Sequence, residues 1–168
     1  MSLRSNERQL VWLLFGVIGG LCLAYFWPHE HVQASATDRD AKFAICTVEV
    51  GPGSPDAVFV LDFLTGRLQG GLLNPQAQAF TNFWFANVAQ DFKVGKNGKY
   101  TMIPGSGFLN APAGAGGGGQ AIATGVIYIA ESSTGMVGCY RFSYVNAPQP
   151  LPPTPLQPVD VFPFREGK

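Results

Sequence analysis

The chain has 168 residues, which is enough for one domain with accessory segments. Its 11 basic and 11 acidic residues cancel, so the charge balance excludes the strongly basic class of nucleic-acid-binding proteins, and we expect no nucleic-acid partner. The 21 glycines and 13 prolines favour short strands joined by tight turns over long helices.

Residues 10–27 form an uncharged apolar run, LVWLLFGVIGGLCLAYFW. As a helix, a run of this length extends about 27 Å, close to the hydrocarbon thickness of a lipid bilayer, so it predicts a transmembrane helix. Arg4 and Arg8 precede the run, and positive charge is typical of the cytoplasmic side. We therefore predict a single-pass membrane protein with a cytoplasmic N-terminus at 1–9, a juxtamembrane spacer at 28–41 and an exported domain, periplasmic or extracellular, at 42–147.

Two further features belong to this N-terminal region. The sequence Ala34-Ser35-Ala36 fits a signal-peptide cleavage site, so a secreted protein cut from its leader is the alternative. Within the apolar run, Gly16, Gly20 and Ala24 are spaced by four and form one smooth stripe on a helix. Such a stripe favours close packing of a second helix in the membrane.

The predicted domain at 42–147 is an α+β fold, mainly antiparallel sheet with one packed helix. Phe80, Trp84, Val88 and Phe92 recur every four residues, which predicts a helix that starts between Pro75 and Thr81 and ends near Phe92. The nearly continuous apolar run at 57–62 is typical of a central strand buried on both faces. Further strands are expected at 42–50, 67–73, 99–103, 123–130 and 136–144.

One turn motif occurs twice, each time between two predicted strands. A carboxylate at the end of a strand can accept hydrogen bonds from turn N–H groups, and glycine supplies the positive φ that closes a hairpin. The two copies predict two similar hairpins in one antiparallel sheet. The turn residues are Asp62, Thr65 and Gly66 in the first copy, and Glu131, Thr134 and Gly135 in the second.

This strand–turn–strand unit resembles the blade hairpins of quinoprotein-like β-propellers. A propeller needs at least four four-stranded blades, for which the chain is too short, and the tryptophan motifs of that family are missing. The resemblance therefore carries over no quinone, and we predict no cofactor. The overall layout looks like that of single-pass bacterial envelope proteins of unassigned activity. This resemblance implies a membrane tether but does not indicate any particular activity.

Residues 148–168 are rich in proline and cannot form a helix or a central strand, so a flexible, extended C-terminal tail is expected. The alternatives are docking of its PxxP spacings to an aromatic groove, or an arm that lies on its own domain. The arm would use Val159, Val161, Phe162 and Phe164.

Catalytic chemistry finds little support in the sequence. The two histidines, His29 and His31, lie in the spacer, so a nucleophile in the domain has no histidine base beside it, and we predict no catalytic residue and no metal site. Cys46 and Cys139 lie in predicted exported strands. An oxidising compartment would permit a disulfide between them, and two free thiols are the alternative.

These observations together predict a membrane-anchored envelope module for protein interaction or assembly, without catalysis. Its expected partners are the lipid bilayer and either another protein or a second copy of the chain. The alternative is an exported hydrolase or redox protein that uses its carboxylates or Cys46 and Cys139.

Overall fold

The computed structural model describes residues 3–26, 37–95, 98–107 and 120–165. The chain divides into two compact units, Met1–Gln33 and Ala34–Lys168. The predicted cleavage site at 34–36 and both histidines lie outside the described residues.

The first unit contains helix α1, Leu3–Phe26, whose side chains are described at positions 9–22. Within the part of the chain that the structure describes, no helix combines the length and the apolar character needed to cross a membrane. On this finding the predicted transmembrane helix at 10–27 is wrong, and so is the single-pass topology with a cytoplasmic N-terminus and an exported domain.

The glycine stripe predicted on this helix is partly described. Gly16 and Gly20 are exposed, and a Cβ built on either would have no heavy atom within 4 Å. The side chain of Ala24 lies outside the described residues. Close approach of a second helix along this stripe therefore stays a prediction.

The second unit is rich in β-structure, and its larger sheet has six strands. Neighbouring strands are antiparallel, except that the last strand pairs with its neighbour in parallel. Three of its expected strands, at 42–50, 57–62 and 67–73, occur close to their predicted positions. The order across the sheet is β1 (Thr37–Arg39), β2 (Phe43–Val48), β3 (Ala57–Asp62), β4 (Arg67–Asn74), β5 (Ala79–Asn87) and β11 (Thr154–Pro155).

The smaller sheet has four antiparallel strands. Their order is β12 (Gln157–Pro163), β9 (Met136–Arg141), β8 (Gly125–Glu131) and β6 (Tyr100–Ser106). A short antiparallel pair is formed by β7 (Ala121–Ile122) and β10 (Ser143–Tyr144).

The hydrophobic core is a single cluster that draws alternate residues from strands of both sheets. An aromatic group lies within it. The ring centroid of Phe142 is 5.0 Å from that of Phe59 and 4.8 Å from that of Trp84, both with edge-on geometry. This packing fixes which face of the larger sheet is inside, and the other face is left outside the core.

The predicted long helix ending near Phe92 is wrong, and with it the α+β class with one packed helix. Residues 79–87 form strand β5, and helix α2 covers only Val88–Asp91. In the strand, Trp84 is 3% exposed and enters the core, while its neighbours Phe83 and Phe85 point to the opposite face. Pairing with β4 and burial of the tryptophan override the four-residue spacing that favoured a helix.

The predicted flexible tail is also wrong, because the C-terminal segment lies on its own domain as an arm. The N–H of Leu151 donates to the Thr81 carbonyl at 2.8 Å, and the N–H of Leu156 donates to the Phe85 carbonyl at 2.8 Å. The arm then continues into β12, which pairs with β9 in the smaller sheet. Leu156, 5% exposed, enters the core between these two pairings. Prolines are tolerated here because both β11 and β12 are edge strands.

Candidate binding groove

The first hairpin turn is organised by Asp62, at the end of β3. One of its carboxylate oxygens accepts from the Leu64 N–H at 2.9 Å, and the other accepts from the Thr65 hydroxyl at 2.7 Å. These bonds lower the pKa of Asp62, the Thr65 hydroxyl bond having the largest effect. Gly66 has φ of 65° and donates its N–H to the Asp62 carbonyl at 2.8 Å, which closes the turn.

The second hairpin turn is built in the same way around Glu131, which is fully buried. Its carboxylate accepts from the Ser133 and Thr134 hydroxyls at 2.6 and 2.8 Å, and from the backbone N–H groups of Lys99, Ser133 and Thr134. Burial opposes ionisation, but these hydrogen bonds outweigh it and lower the pKa of Glu131 to about 2. Gly135, with φ of 71°, closes the turn.

The two turns lie in different sheets, so the prediction that both hairpins belong to one sheet is wrong. The β3–β4 hairpin pairs within the larger sheet and the β8–β9 hairpin within the smaller one, and both contribute buried residues to the same core. Each carboxylate is held by its own turn, and that of Glu131 is closed to solvent. Both are therefore placed to stabilise their hairpins.

Cys46 and Cys139 are free thiols, and the structure does not bring them together. Cys46 lies on β2 of the larger sheet and faces the core, where burial raises its pKa to about 12. Cys139 lies on β9 of the smaller sheet, on the face opposite to its buried neighbours Gly138 and Tyr140. The possible disulfide is therefore not formed, because the two side chains belong to different sheets and only one enters the core. Among the described residues, no group of three or more metal-binding side chains is found either.

A groove of about 950 Å³ lies on the outer face of the larger sheet. Its walls are apolar, with Val58 and Val60 of β3 on one side and Phe83 and Phe85 of β5 on the other. Val60 is 36% exposed and Phe85 is 46% exposed. A contiguous group of large apolar side chains that faces outward is typical of an interaction surface.

The strand register places β4 as the floor of this groove. Val60 is paired with Gln69, which is paired in turn with Phe85. One row further, Gly71 lies between Val58 and Phe83 in the same way. Because glycine has no side chain, the floor is low between the two walls at that row.

The ends of the groove differ in chemistry. Phe80, 46% exposed, lies beside Gly71, whose Cβ would be 3.0 Å from its ring. At the opposite end the exposed Arg67 is paired with Asn87. Pro153 of the C-terminal arm also lines the groove, beyond β5. The site is therefore an apolar trough with one cationic end.

Sequence reasoning missed this groove, although a signal for it was present. Strand 57–62 and the Phe83-Trp84-Phe85 triplet are apolar at successive positions, which means that both faces of each strand are apolar. The first pattern predicts burial on both sides, and the second lies in the segment whose spacing predicts a helix. In the structure, one of the two apolar faces is open instead. Comparisons of the chain with protein-family models, with curated proteins and with solved structures find no match.

Proposed function

We propose that this protein is a non-catalytic interaction module that binds a segment of a protein partner in the groove on the outer face of its larger sheet. The observation that carries the proposal is the trough between Val58 and Val60 on one side and Phe83 and Phe85 on the other. Aromatic side chains exposed at a concave surface are typical of binding sites, because they bury a large apolar area when a partner docks.

Two further observations favour binding over catalysis. The carboxylates of Asp62 and Glu131 are occupied by hydrogen bonds within their own turns. Burial raises the pKa of both Cys46 and Cys139, which disfavours the thiolate that a nucleophile or redox centre needs. These carboxylates and cysteines are therefore poorly suited to act as the catalytic groups of the alternative hydrolase or redox protein.

The groove is partly open to solvent and has exposed side chains on its wall, which suits a chain segment better than an enclosed small molecule. The neighbouring edge of β5 is covered by the arm, where Pro153 and Pro155 cannot donate to a further strand. A partner is therefore directed to the face of the sheet and away from that edge.

Selection of random peptides displayed on phage tests this proposal. Peptides enriched on the wild-type protein should bind Val60→Asp or Phe85→Asp at least about tenfold more weakly, because a carboxylate is then placed in the apolar trough. The matched control is Val159→Asp, a change at an exposed valine, 41% exposed, in the smaller sheet. Enrichment that is equal on all four proteins, or no enrichment at all, would exclude the groove as a binding site.

A second copy of the chain is the other protein partner that this face can accept. Light scattering after size exclusion distinguishes the two cases. A dimer that dissociates in Val60→Asp but persists in Val159→Asp identifies the occupant as a second copy, whereas a monomer that binds selected peptides identifies it as another protein.

A further inference from the structure

The outward side chains of β4 change from charged to polar to absent along the floor of the groove. Arg67, Gln69 and Gly71 alternate with inward residues, and an extended strand rises about 3.3 Å per residue, so successive outward positions are about 7 Å apart. The first position is the cationic Arg67, and the second is a polar residue flanked by Val60 and Phe85. The third is Gly71, which lies between Val58 and Phe83 and has the Phe80 ring 3.0 Å from the position of its Cβ.

Arg67 is the group at the cationic end with hydrogen-bond donors to offer. Its cross-strand neighbour Asp62 carries a negative charge, but its two carboxylate oxygens accept from the Leu64 N–H and the Thr65 hydroxyl, and the described contacts include no hydrogen bond from Arg67 to it. Its other neighbour, Asn87, accepts from the Gln90 N–H at 3.2 Å as the cap of α2. No described side chain hydrogen-bonds the Arg67 guanidinium. A planar guanidinium with free donors is suited to binding a carboxylate.

The geometry points to an extended acidic–apolar segment as the occupant: an acidic side chain pairs with Arg67, and bulky apolar side chains two and four residues away fill the trough. This inference rests on the proposed binding function and adds the chemistry of the partner. Alternate side chains of an extended segment repeat at the same spacing as the rows of the floor, about 7 Å. A helix presents its side chains at a different spacing and would not keep this match.

Three labelled synthetic peptides test the charge preference by fluorescence anisotropy. The probe is Ser-Glu-Ser-Leu-Ser-Leu-Ser, together with versions that carry Gln or Lys in place of Glu, and each is also made in reverse order because the direction of binding is open. For the better direction, we expect the Glu peptide to bind about fivefold tighter than the Gln peptide, and the Lys peptide to bind weakest, as is typical of an exposed ion pair.

Variants separate this inference from the proposed function. Arg67→Glu should reverse the order, so that the Lys peptide binds tightest. The matched control is Arg165→Glu, the same charge reversal at the end of the C-terminal arm, where the guanidinium donates to the Ser132 carbonyl, and it should leave the order unchanged. If Val60→Asp abolishes binding but the three peptides bind equally well, the charge inference is overturned. The proposed function of the groove is then still supported. If none of the three peptides binds in either order, while phage selection still enriches other peptides, this inference alone is overturned. Failure of both experiments overturns both proposals.

Discussion

The ring of Phe59 occupies the space that a side chain at position 70 would fill, because a Cβ built on Gly70 would overlap the ring. Phe59 is fully buried and stacks on Trp84 with ring centroids 5.6 Å apart. Because Gly70 of β4 has no side chain, Phe59 of β3 can pack across it onto Trp84 of β5. This contact joins the two strands on either side of β4. The same strand forms the floor of the groove, so core and groove depend on adjacent glycines.

The first prediction concerns these glycines. Gly70→Ala should lower the free energy of unfolding by about 1–3 kcal/mol, because the added methyl group displaces a buried ring. Gly71→Ala is the matched control, since its Cβ would approach only Phe80, an exposed ring that can move. Urea denaturation of both variants measures the difference. An equal loss of stability in the two would contradict the role given to Phe59.

The second prediction concerns the pH dependence of stability. The pKa of Glu131 is about 2 in the folded protein and 4.5 ordinarily, so its contribution is complete above pH 4.5 and is lost as the pH falls towards about 2. Glu131→Gln should lower the free energy of unfolding at neutral pH by about 1–3 kcal/mol, because the amide NH2 group replaces one of the two acceptor oxygens and the donors to that oxygen lose their partner. It should also flatten the pH dependence in that acidic window.

Urea denaturation across the acidic range measures both effects. The matched control is Asp62→Asn, the corresponding change in the exposed turn of the other hairpin, for which we expect a smaller loss of stability. A variant that keeps the full acid sensitivity of the wild-type protein would show that Glu131 is not its source.

The third prediction concerns the thiols. In a Cys22→Ser background, Cys139 should react with a thiol reagent before Cys46, because Cys46 is 1% exposed and burial raises its pKa to about 12. Cys46 should react only when the domain unfolds. Mass spectrometry of the folded protein follows each modification. A mass two hydrogens lower under non-reducing conditions would reveal a disulfide and contradict the separation of the two cysteines.

The fourth prediction concerns the C-terminal arm. Leu156→Ala should cost about 2–4 kcal/mol of stability, because it removes a buried side chain at the point where the arm passes from one sheet to the other. Hydrogen exchange should become faster in β5 and β9, the strands that the arm covers. Val159→Ala, at an exposed position of the same arm, should change neither quantity. If β5 and β9 of Leu156→Ala keep their full protection from hydrogen exchange, the arm does not stabilise the two sheets.

Local sequence determined the hairpins of this protein. The run at 57–62 forms β3 with those bounds, and each hairpin turn has its carboxylate and glycine where hydrogen bonds and a positive φ are needed. The residues that form each hairpin turn are close neighbours in the sequence, so no contact with a distant residue is required to specify the turn. The strands flanking the second turn were predictable for the same reason.

Tertiary structure alone decided the features that depend on distant partners. Phe80, Trp84 and Val88 have helical spacing, yet β4 pairs with residues 79–87 and the core takes Trp84, so the segment is a strand. Proline content predicted an extended tail, but only the open edges of two sheets made that tail an arm. The groove arose in the same way, because a strand that is apolar on both faces does not specify which face will be covered. Local patterns set the conformation of short segments, whereas packing against residues far along the chain selects the faces that remain open.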